Sequence, residues 1–133
     1  MENINDKMNS ITLKPELNEL YTLNEFILNE LEKEDLQVDL IIEEVFVNIV
    51  KYSKTDVIKI NAQYSENILT VEFIDNGIEF NPLIKENPKL AGTIDEAKIG
   101  GLGIFLTKEI ADDLKYNYID GENHLTIIKK VKE

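Results

Sequence analysis

The chain has 133 residues, which is enough for one domain with a core of its own. It has no cysteine, which excludes disulfides and zinc–thiolate sites, and its net charge of −12, with 14 lysines and no arginine, shows no basic cluster for nucleic acid. No 18-residue apolar run exists, and Met1–Ser10 lacks the order of a signal peptide, so we expect a cytoplasmic protein without membrane or direct nucleic-acid contact. The acidity either serves solubility or steers a partner with a basic face.

Two helices are predicted in the first half of the chain. Ser10–Leu13 alternates as a short strand, and Pro15 then suits the first turn of a helix over residues 16–32. A second helix begins near Asp35 and ends within residues 52–55. Its apolar residues cover most of its circumference, so we expect this helix to be largely buried.

The rest of the chain predicts strands, a lid and one further helix. Four strands follow from period-two alternation, at residues 57–64, 68–74, 115–119 and 124–128. Asp120-Gly121 joins the last two, because Asp-Gly is a strong hairpin signal. An aperiodic stretch lies between, and we interpret about 83–100 as a lid, since ordinary loops of that length are uncommon. A third helix is predicted over residues 104–114.

The order of these elements indicates the fold class. Helices and strands do not alternate strictly, which argues against a doubly wound sheet. We therefore predict an α+β, two-layer sandwich, in which three helices lie on one face of a mixed, mostly antiparallel sheet. No internal repeat or linker divides the chain, so residues 1–133 are expected to form a single domain.

Three groups of residues are candidates for chemistry. Glu44 and Asn48 lie four residues apart, so they share one face of the second helix, where uncompensated polar groups are costly. Asp75-Asn76-Gly77 ends a predicted strand, and its carboxylate can accept from a ligand amino group while the glycine admits close approach. Gly100-Gly101-Leu102-Gly103 opens a predicted helix, where free amides favour an anion. Taken singly, the groups also fit a Glu–Asn hydrogen bond, an ordinary turn and a flexible helix start.

Together, the groups follow the order Glu-x-x-x-Asn on a helix, Asp-x-Gly after a hairpin, an aperiodic stretch, and Gly-Gly-Leu-Gly. This order resembles the N box and the two glycine boxes of the Bergerat-fold ATPases, a superfamily that includes gyrase, histidine kinases, a heat-shock chaperone and a mismatch-repair protein. Segments 43–53, 73–82 and 99–104 are most similar to the anti-sigma-factor serine/threonine kinases. The resemblance covers nearly the whole chain and implies a histidine-kinase-like ATPase domain with the Bergerat ATP-binding fold.

The resemblance also implies a role for each matching residue. Glu44 would act as the general base toward a serine hydroxyl, and Asn48 would ligate Mg²⁺. Asp75 would hold the adenine amino group of ATP, with Gly77 against the ring. The resemblance implies further nucleotide contacts as well, and among them the glycine amides and the lysine of the lid would reach the phosphates. These contacts are Lys51, Tyr52, Phe80, Lys98, Gly100, Gly101, Leu102, Gly103, Ile104 and Thr126.

The implied function is partner switching. An ATP- and Mg²⁺-dependent serine/threonine kinase binds a sigma factor or an analogous target, and it phosphorylates a serine on an anti-sigma-factor antagonist. Relatives are homodimers, and the exposed edge of the N-terminal strand offers a surface for one. The main alternative is a non-catalytic module that uses ATP to shape a docking surface. A fragment of a sensor kinase is disfavoured by the N-terminal strand and helix.

Three features depart from the family pattern. Tyr52 stands where many relatives carry histidine, and Ile78-Glu79 stands where a glycine or proline is frequent. The chain also lacks any arginine that could contact a phosphate or a partner. These departures bear on kinase turnover and partner binding more than on ATP binding.

Overall fold

A computed structural model of the chain describes residues 8–81 and 107–132. The elements follow in the order β1 (Asn9–Leu13), a 3-10 turn (Leu17–Glu19), α1 (Leu20–Leu31), α2 (Leu36–Tyr52), β2 (Ile58–Ser65), β3 (Ile68–Asp75), β4 (Asp113–Ile119) and β5 (Glu122–Lys130). Residues 107–110 are helical as well. Within the two described ranges, no helix is long and apolar enough to cross a membrane.

The five strands form one sheet in the order β1-β2-β3-β5-β4, and its four pairings are all antiparallel. A tight turn at Glu66–Asn67 joins β2 to β3, and another at Asp120–Gly121 joins β4 to β5. All four turn residues have positive φ. That conformation matches the twist of antiparallel strands, which is why Asp-Gly and similar pairs are favoured there. The hairpin predicted from Asp120-Gly121 is therefore confirmed.

One face of the sheet carries the core. The inward side chains of the strands are almost fully buried at Leu13, Ile58, Ile60, Ala62, Leu69, Val71, Phe73, Leu125 and Ile127. Both helices bury an apolar stripe in the same cluster, including Leu23, Ile27, Val45 and Phe46. Outward residues of the same strands are more exposed, as alternation requires. The predicted α+β two-layer arrangement is thus confirmed.

The bounds of the two long helices have local causes. At the start of α2, the Asp35 side chain accepts a hydrogen bond from the backbone N–H of Val38 at 3.0 Å and so caps the helix. The first helix is shorter than predicted, because Glu16 is extended and a 3-10 turn precedes Leu20. At its other end Glu32 adopts a left-handed conformation with φ of 63°, which stops α1 before the connection to α2.

The third predicted helix extends too far toward the C-terminus. Residues 107–110 are helical, but Leu114 belongs to β4. The change occurs at Asp112, whose N–H donates to the carbonyl of Ile128 at 2.9 Å and whose carboxylate accepts from the N–H of Lys130 at 2.6 Å. These hydrogen bonds tie the chain to β5. Spacing alone did not reveal them, because an apolar residue at position 114 fits either a helix face or an alternating strand.

The core assignment leads to a prediction about stability. Phe46 on α2 has no exposed surface, so Phe46→Ala should lower the free energy of unfolding by about 3–5 kcal/mol through lost contacts and a residual cavity. Urea unfolding followed by circular dichroism measures this change. Tyr21, which is 75% exposed on α1, provides the control: Tyr21→Ala should change stability by less than about 0.5 kcal/mol. Equal losses in the two variants would contradict the placement of the core.

Candidate functional site

Glu44 and Asn48 form a hydrogen-bonded pair on α2. Asn48 is 3% exposed and Glu44 is half-buried, and the Asn48 Nδ2 donates to Glu44 Oε2 at 3.1 Å. This bond directs the amide nitrogen toward the carboxylate. Within the described residues, no hydrogen bond reaches Asn48 Oδ1 or Glu44 Oε1. One neutral oxygen and one anionic oxygen therefore stay available to a ligand.

Asp75 is a buried carboxylate at the end of β3, with 4% of its surface exposed. Its Oδ1 accepts three hydrogen bonds, from Ser53 Oγ at 2.5 Å, from the Gly77 N–H at 2.9 Å and from Asn123 Nδ2 at 2.9 Å. These donors offset the cost of removing the charge from water. The second oxygen, Oδ2, accepts no hydrogen bond from the described part of the chain. Asp75 thus has one fixed oxygen and one free acceptor.

The loop after Asp75 is held tightly against the end of α2. The N–H of Ile78 donates to the carbonyl of Ser53 at 2.8 Å. A Cβ at Gly77 would lie 2.0 Å from the same Ser53 oxygen, so no other residue fits there without a shift of the loop. Next to this contact, the Thr55 hydroxyl donates to Asn76 Oδ1 at 2.6 Å and accepts from the Asn76 N–H at 3.1 Å. The glycine is therefore required by packing on Ser53, before any ligand is considered.

Asn123 is a site residue that the sequence analysis missed. It lies opposite Asp75 in the pairing of β3 with β5, on the face toward the helices, and it is 3% exposed. Its side chain donates to Asp75 and to the carbonyl of Ile78 at 2.8 Å, and it accepts from the N–H of Phe80 at 2.9 Å. The signal that could have found it is the alternation of the last strand, in which a polar residue occupies an inward position.

Thr126 lies elsewhere in the structure. It pairs with Glu72 on the face of the sheet that points away from the helices, whereas Asp75 and Asn123 point toward them. The strand register therefore separates Thr126 from the rest of the site. Asn123 is the β5 residue that contacts Asp75, and the nucleotide contact predicted for Thr126 stays a prediction. The physical reason is the period of two in a strand, which places residues 123 and 126 on opposite faces.

Other predicted residues gather at the rim of the site. Tyr52, at the end of α2, is 42% exposed. The centroids of its ring and of the Phe80 ring are 5.7 Å apart, and the two ring planes make an angle of 44°. Lys51 is exposed in the last turn of the same helix. The structure thus brings the C-terminal turn of α2 and the loop after β3 together. Outside the described residues lie the predicted lid at about 83–100, the start of the third helix, and the contacts assigned to Lys98, Gly100, Gly101, Leu102, Gly103 and Ile104.

The site has two separate regions that can bind a ligand. The free Asp75 oxygen suits a hydrogen-bond donor such as an exocyclic amino group, and the aromatic pair provides an apolar border. The free oxygens of Glu44 and Asn48 suit a cation or a reacting hydroxyl. Among residues 8–81 and 107–132, no group of three or more histidine or acidic side chains is gathered around a metal position. A metal here would therefore need further oxygens from its ligand and from water.

Comparison with known proteins identifies relatives of this chain. The family model of the histidine kinase-like ATPase domain matches residues 17–129. The serine/threonine-protein kinase BtrW of Bordetella bronchiseptica is 28% identical over 124 residues, covering 89% of this chain and 87% of BtrW. The solved structure of the Acinetobacter baumannii histidine kinase AdeS is similar in fold, with a TM-score of 0.53 and 10% identity over 96% of this chain and 70% of that chain.

The contact between Gly77 and Ser53 yields a prediction. Gly77→Ala should displace the loop that holds Asp75 and lower the affinity for ATP by about 10- to 100-fold, the scale of one or two lost hydrogen bonds. Titration with a fluorescent ATP analogue measures the affinity. Gly121→Ala is the control: its φ of +80° strains alanine by about 1–2 kcal/mol, but its Cβ meets no atom within 4 Å. That variant should melt earlier and still bind with wild-type affinity. Unchanged binding in Gly77→Ala would argue against the role of this loop.

Proposed function

The chain belongs to the histidine kinase-like ATPase domain family, and from that membership we propose that it is an ATP-dependent serine/threonine protein kinase that acts by partner switching. The family implies an ATP-binding, kinase-like domain. Similarity to a protein named as a serine/threonine kinase supports the finer assignment. In the proposed function, the kinase binds a sigma factor or an analogous target and phosphorylates a serine on an antagonist of that interaction.

The single observation that carries the proposal is the hydrogen bonding of the buried Asp75 carboxylate. Three donors fix one carboxylate oxygen, and the other oxygen is left as an acceptor in a buried position. The 6-amino group of adenine is a donor of the matching kind, whereas the 6-oxo group of guanine is an acceptor and would face a negative charge. A buried acceptor that is satisfied only by the right base gives discrimination as well as affinity.

The reactive end of the site lies on the same helix. The rise of α2 places Asn48 about 7.5 Å along the axis from Ser53, which holds Asp75, and Glu44 one further turn away. The base and the phosphates of one nucleotide can therefore lie along a single rigid element. During transfer, the bond from the serine Oγ to the γ-phosphorus forms while the bond from that phosphorus to ADP breaks, and the hydroxyl proton passes to Glu44.

Mg²⁺ fits this end of the site as a nucleotide-bound ion. Asn48 Oδ1 would hold it, with the remaining oxygens coming from phosphates and water, as is usual for magnesium. When bound, the ion neutralises charge that develops on the phosphates. Asn48 Nδ2 is engaged with Glu44, so the same bond that frees Oδ1 for the ion orients the base.

We extend the proposal to an assembly. β1 is an edge strand of the sheet, and its backbone offers hydrogen-bonding groups to a second copy of the chain. Asn9, Ser10 and Thr12 of β1 are exposed, which keeps that edge accessible within the described part of the chain. In a homodimer joined there, β2 would separate the interface from β3 and β5, which carry Asp75 and Asn123. Light scattering at several protein concentrations would test this state.

The adenine assignment is tested by Asp75→Asn. An amide presents a donor to the amino group of adenine or breaks the bonds to Ser53 and Asn123, so ATP affinity should fall by about 10-fold or more. Isothermal calorimetry with ATP and Mg²⁺ gives the affinity. The matched control is Asp120→Asn, an exposed turn position whose φ of 53° asparagine also tolerates, and it should bind ATP normally. Equal affinities in Asp75→Asn and wild type would refute the assignment.

The roles of Glu44 and Asn48 should be separable. Glu44→Gln keeps the side-chain shape but removes the base, so phosphoryl transfer should fall by about 100-fold or more while ATP affinity is retained. Asn48→Ala removes the metal ligand and should weaken Mg²⁺–ATP more than magnesium-free ATP. Transfer of labelled phosphate to candidate antagonist proteins measures the rate, and calorimetry measures the affinities.

Glu43→Gln is the control for this pair. Glu43 is the neighbouring carboxylate on α2, but it faces α1 and accepts from Asn24 at 3.3 Å, so its loss should leave transfer unchanged. If Glu44→Gln transferred phosphate at the wild-type rate, Glu44 would not be the base. A protein that binds ATP but transfers no phosphate to any antagonist would instead be a docking module that uses ATP to shape its surface.

A further inference from the structure

Tyr116 reaches the nucleotide site from the opposite edge of the sheet. It lies on β4 at a half-buried, inward position and packs against the core. Its hydroxyl donates to Oδ1 of Asn123, the β5 residue that binds Asp75. No motif in the sequence singled out this tyrosine, because the resemblance to known kinases rests on other segments.

The side-chain amide of Asn123 is fully used. Its oxygen accepts from the Tyr116 hydroxyl and from the N–H of Phe80 at 2.9 Å. Its nitrogen donates to Asp75 Oδ1 at 2.9 Å and to the carbonyl of Ile78 at 2.8 Å. An amide has two N–H donors and two acceptor positions, so all four are occupied. A rotated amide would set its oxygen against the oxygens of Asp75 and Ile78 and its nitrogen against the N–H of Phe80, so the observed orientation is the stable one.

We propose that Tyr116 is a positioning residue for adenine recognition: its hydroxyl fixes the amide of Asn123, and that amide holds Asp75 with Oδ2 turned toward the ligand. The inference rests on the proposed nucleotide-binding function and adds β4 to the site. Without the hydroxyl, the Asn123 oxygen keeps only one donor, and the amide gains freedom to rotate away from Asp75.

The hydroxyl is suited to act as a lasting donor. Burial raises the pKa of Tyr116 above its ordinary value; a hydrogen bond with the Phe80 backbone partly opposes this, and the charges of Glu79 and Asp75 and the nearby Tyr118 raise the pKa further. A raised pKa keeps the proton on the oxygen at neutral and moderately alkaline pH.

The test compares two nucleotides. Tyr116→Phe keeps the ring and removes the donor, and its affinities for ATP and for inosine triphosphate, which carries a 6-oxo group, are measured by calorimetry with Mg²⁺. We expect ATP binding to weaken by about 5- to 10-fold, the effect of one hydrogen bond, and inosine triphosphate binding to change little. The preference for ATP should shrink accordingly. Tyr21→Phe, at a 75% exposed tyrosine on α1, should leave both affinities unchanged.

A second measurement does not need a nucleotide. In the nitrogen–proton NMR spectrum, the side-chain amide signals of Asn123 should shift and exchange faster in Tyr116→Phe, but not in Tyr21→Phe. Equal weakening of the two nucleotides would assign Tyr116 a general structural role and overturn the inference, as would unchanged Asn123 signals. If the wild-type protein bound no ATP, the proposed function itself would fail, and the role given to Tyr116 would fail with it.

Discussion

The burial of one carboxylate, Asp75, constrains the arrangement of the whole site. A charge that is 4% exposed needs compensation, and the compensation comes from three separate parts of the chain. Ser53 donates from the end of α2, Gly77 from the loop after β3, and Asn123 from β5. Each donor fixes the position of its own element relative to β3. The site is consequently a product of packing between elements and not of any one motif.

The helix α2 joins the two chemical ends of the site. Its apolar residues are fixed in the core, so its polar residues have little freedom to move. Ser53 at its end donates to Asp75, the proposed adenine-binding carboxylate. Asn48 and Glu44 lie about one and a half and two and a half turns earlier and serve the phosphates in the proposed mechanism. A rigid helix can thereby set the distance between base recognition and phosphoryl transfer. Positioning of this kind accounts for most of the catalysis expected in phosphoryl transfer.

The plain structural interpretations of the motifs are compatible with the functional ones. Glu44 and Asn48 do form the hydrogen bond expected of a polar pair on an apolar helix, and Gly77 does serve a tight turn. The bond uses one hydrogen of the Asn48 amide and one oxygen of Glu44, so it leaves the other two oxygens for ligands. The internal hydrogen bond and the proposed ligand contacts therefore use different atoms of the same two side chains.

The sequence by itself determined the class of fold and most of the elements, because hydrophobic periodicity and the Asp-Gly turn are local properties. It also singled out Glu44, Asn48 and Asp75, since polar residues in apolar surroundings stand out in a pattern. Only the tertiary structure decided that β4 begins where a helix was expected, because the hydrogen bonds of Asp112 come from a distant strand. For the same reason only the structure showed that Asn123 lies beside Asp75 and that Thr126 lies on the opposite face: the face of a strand residue depends on register, and register is fixed by pairing between strands.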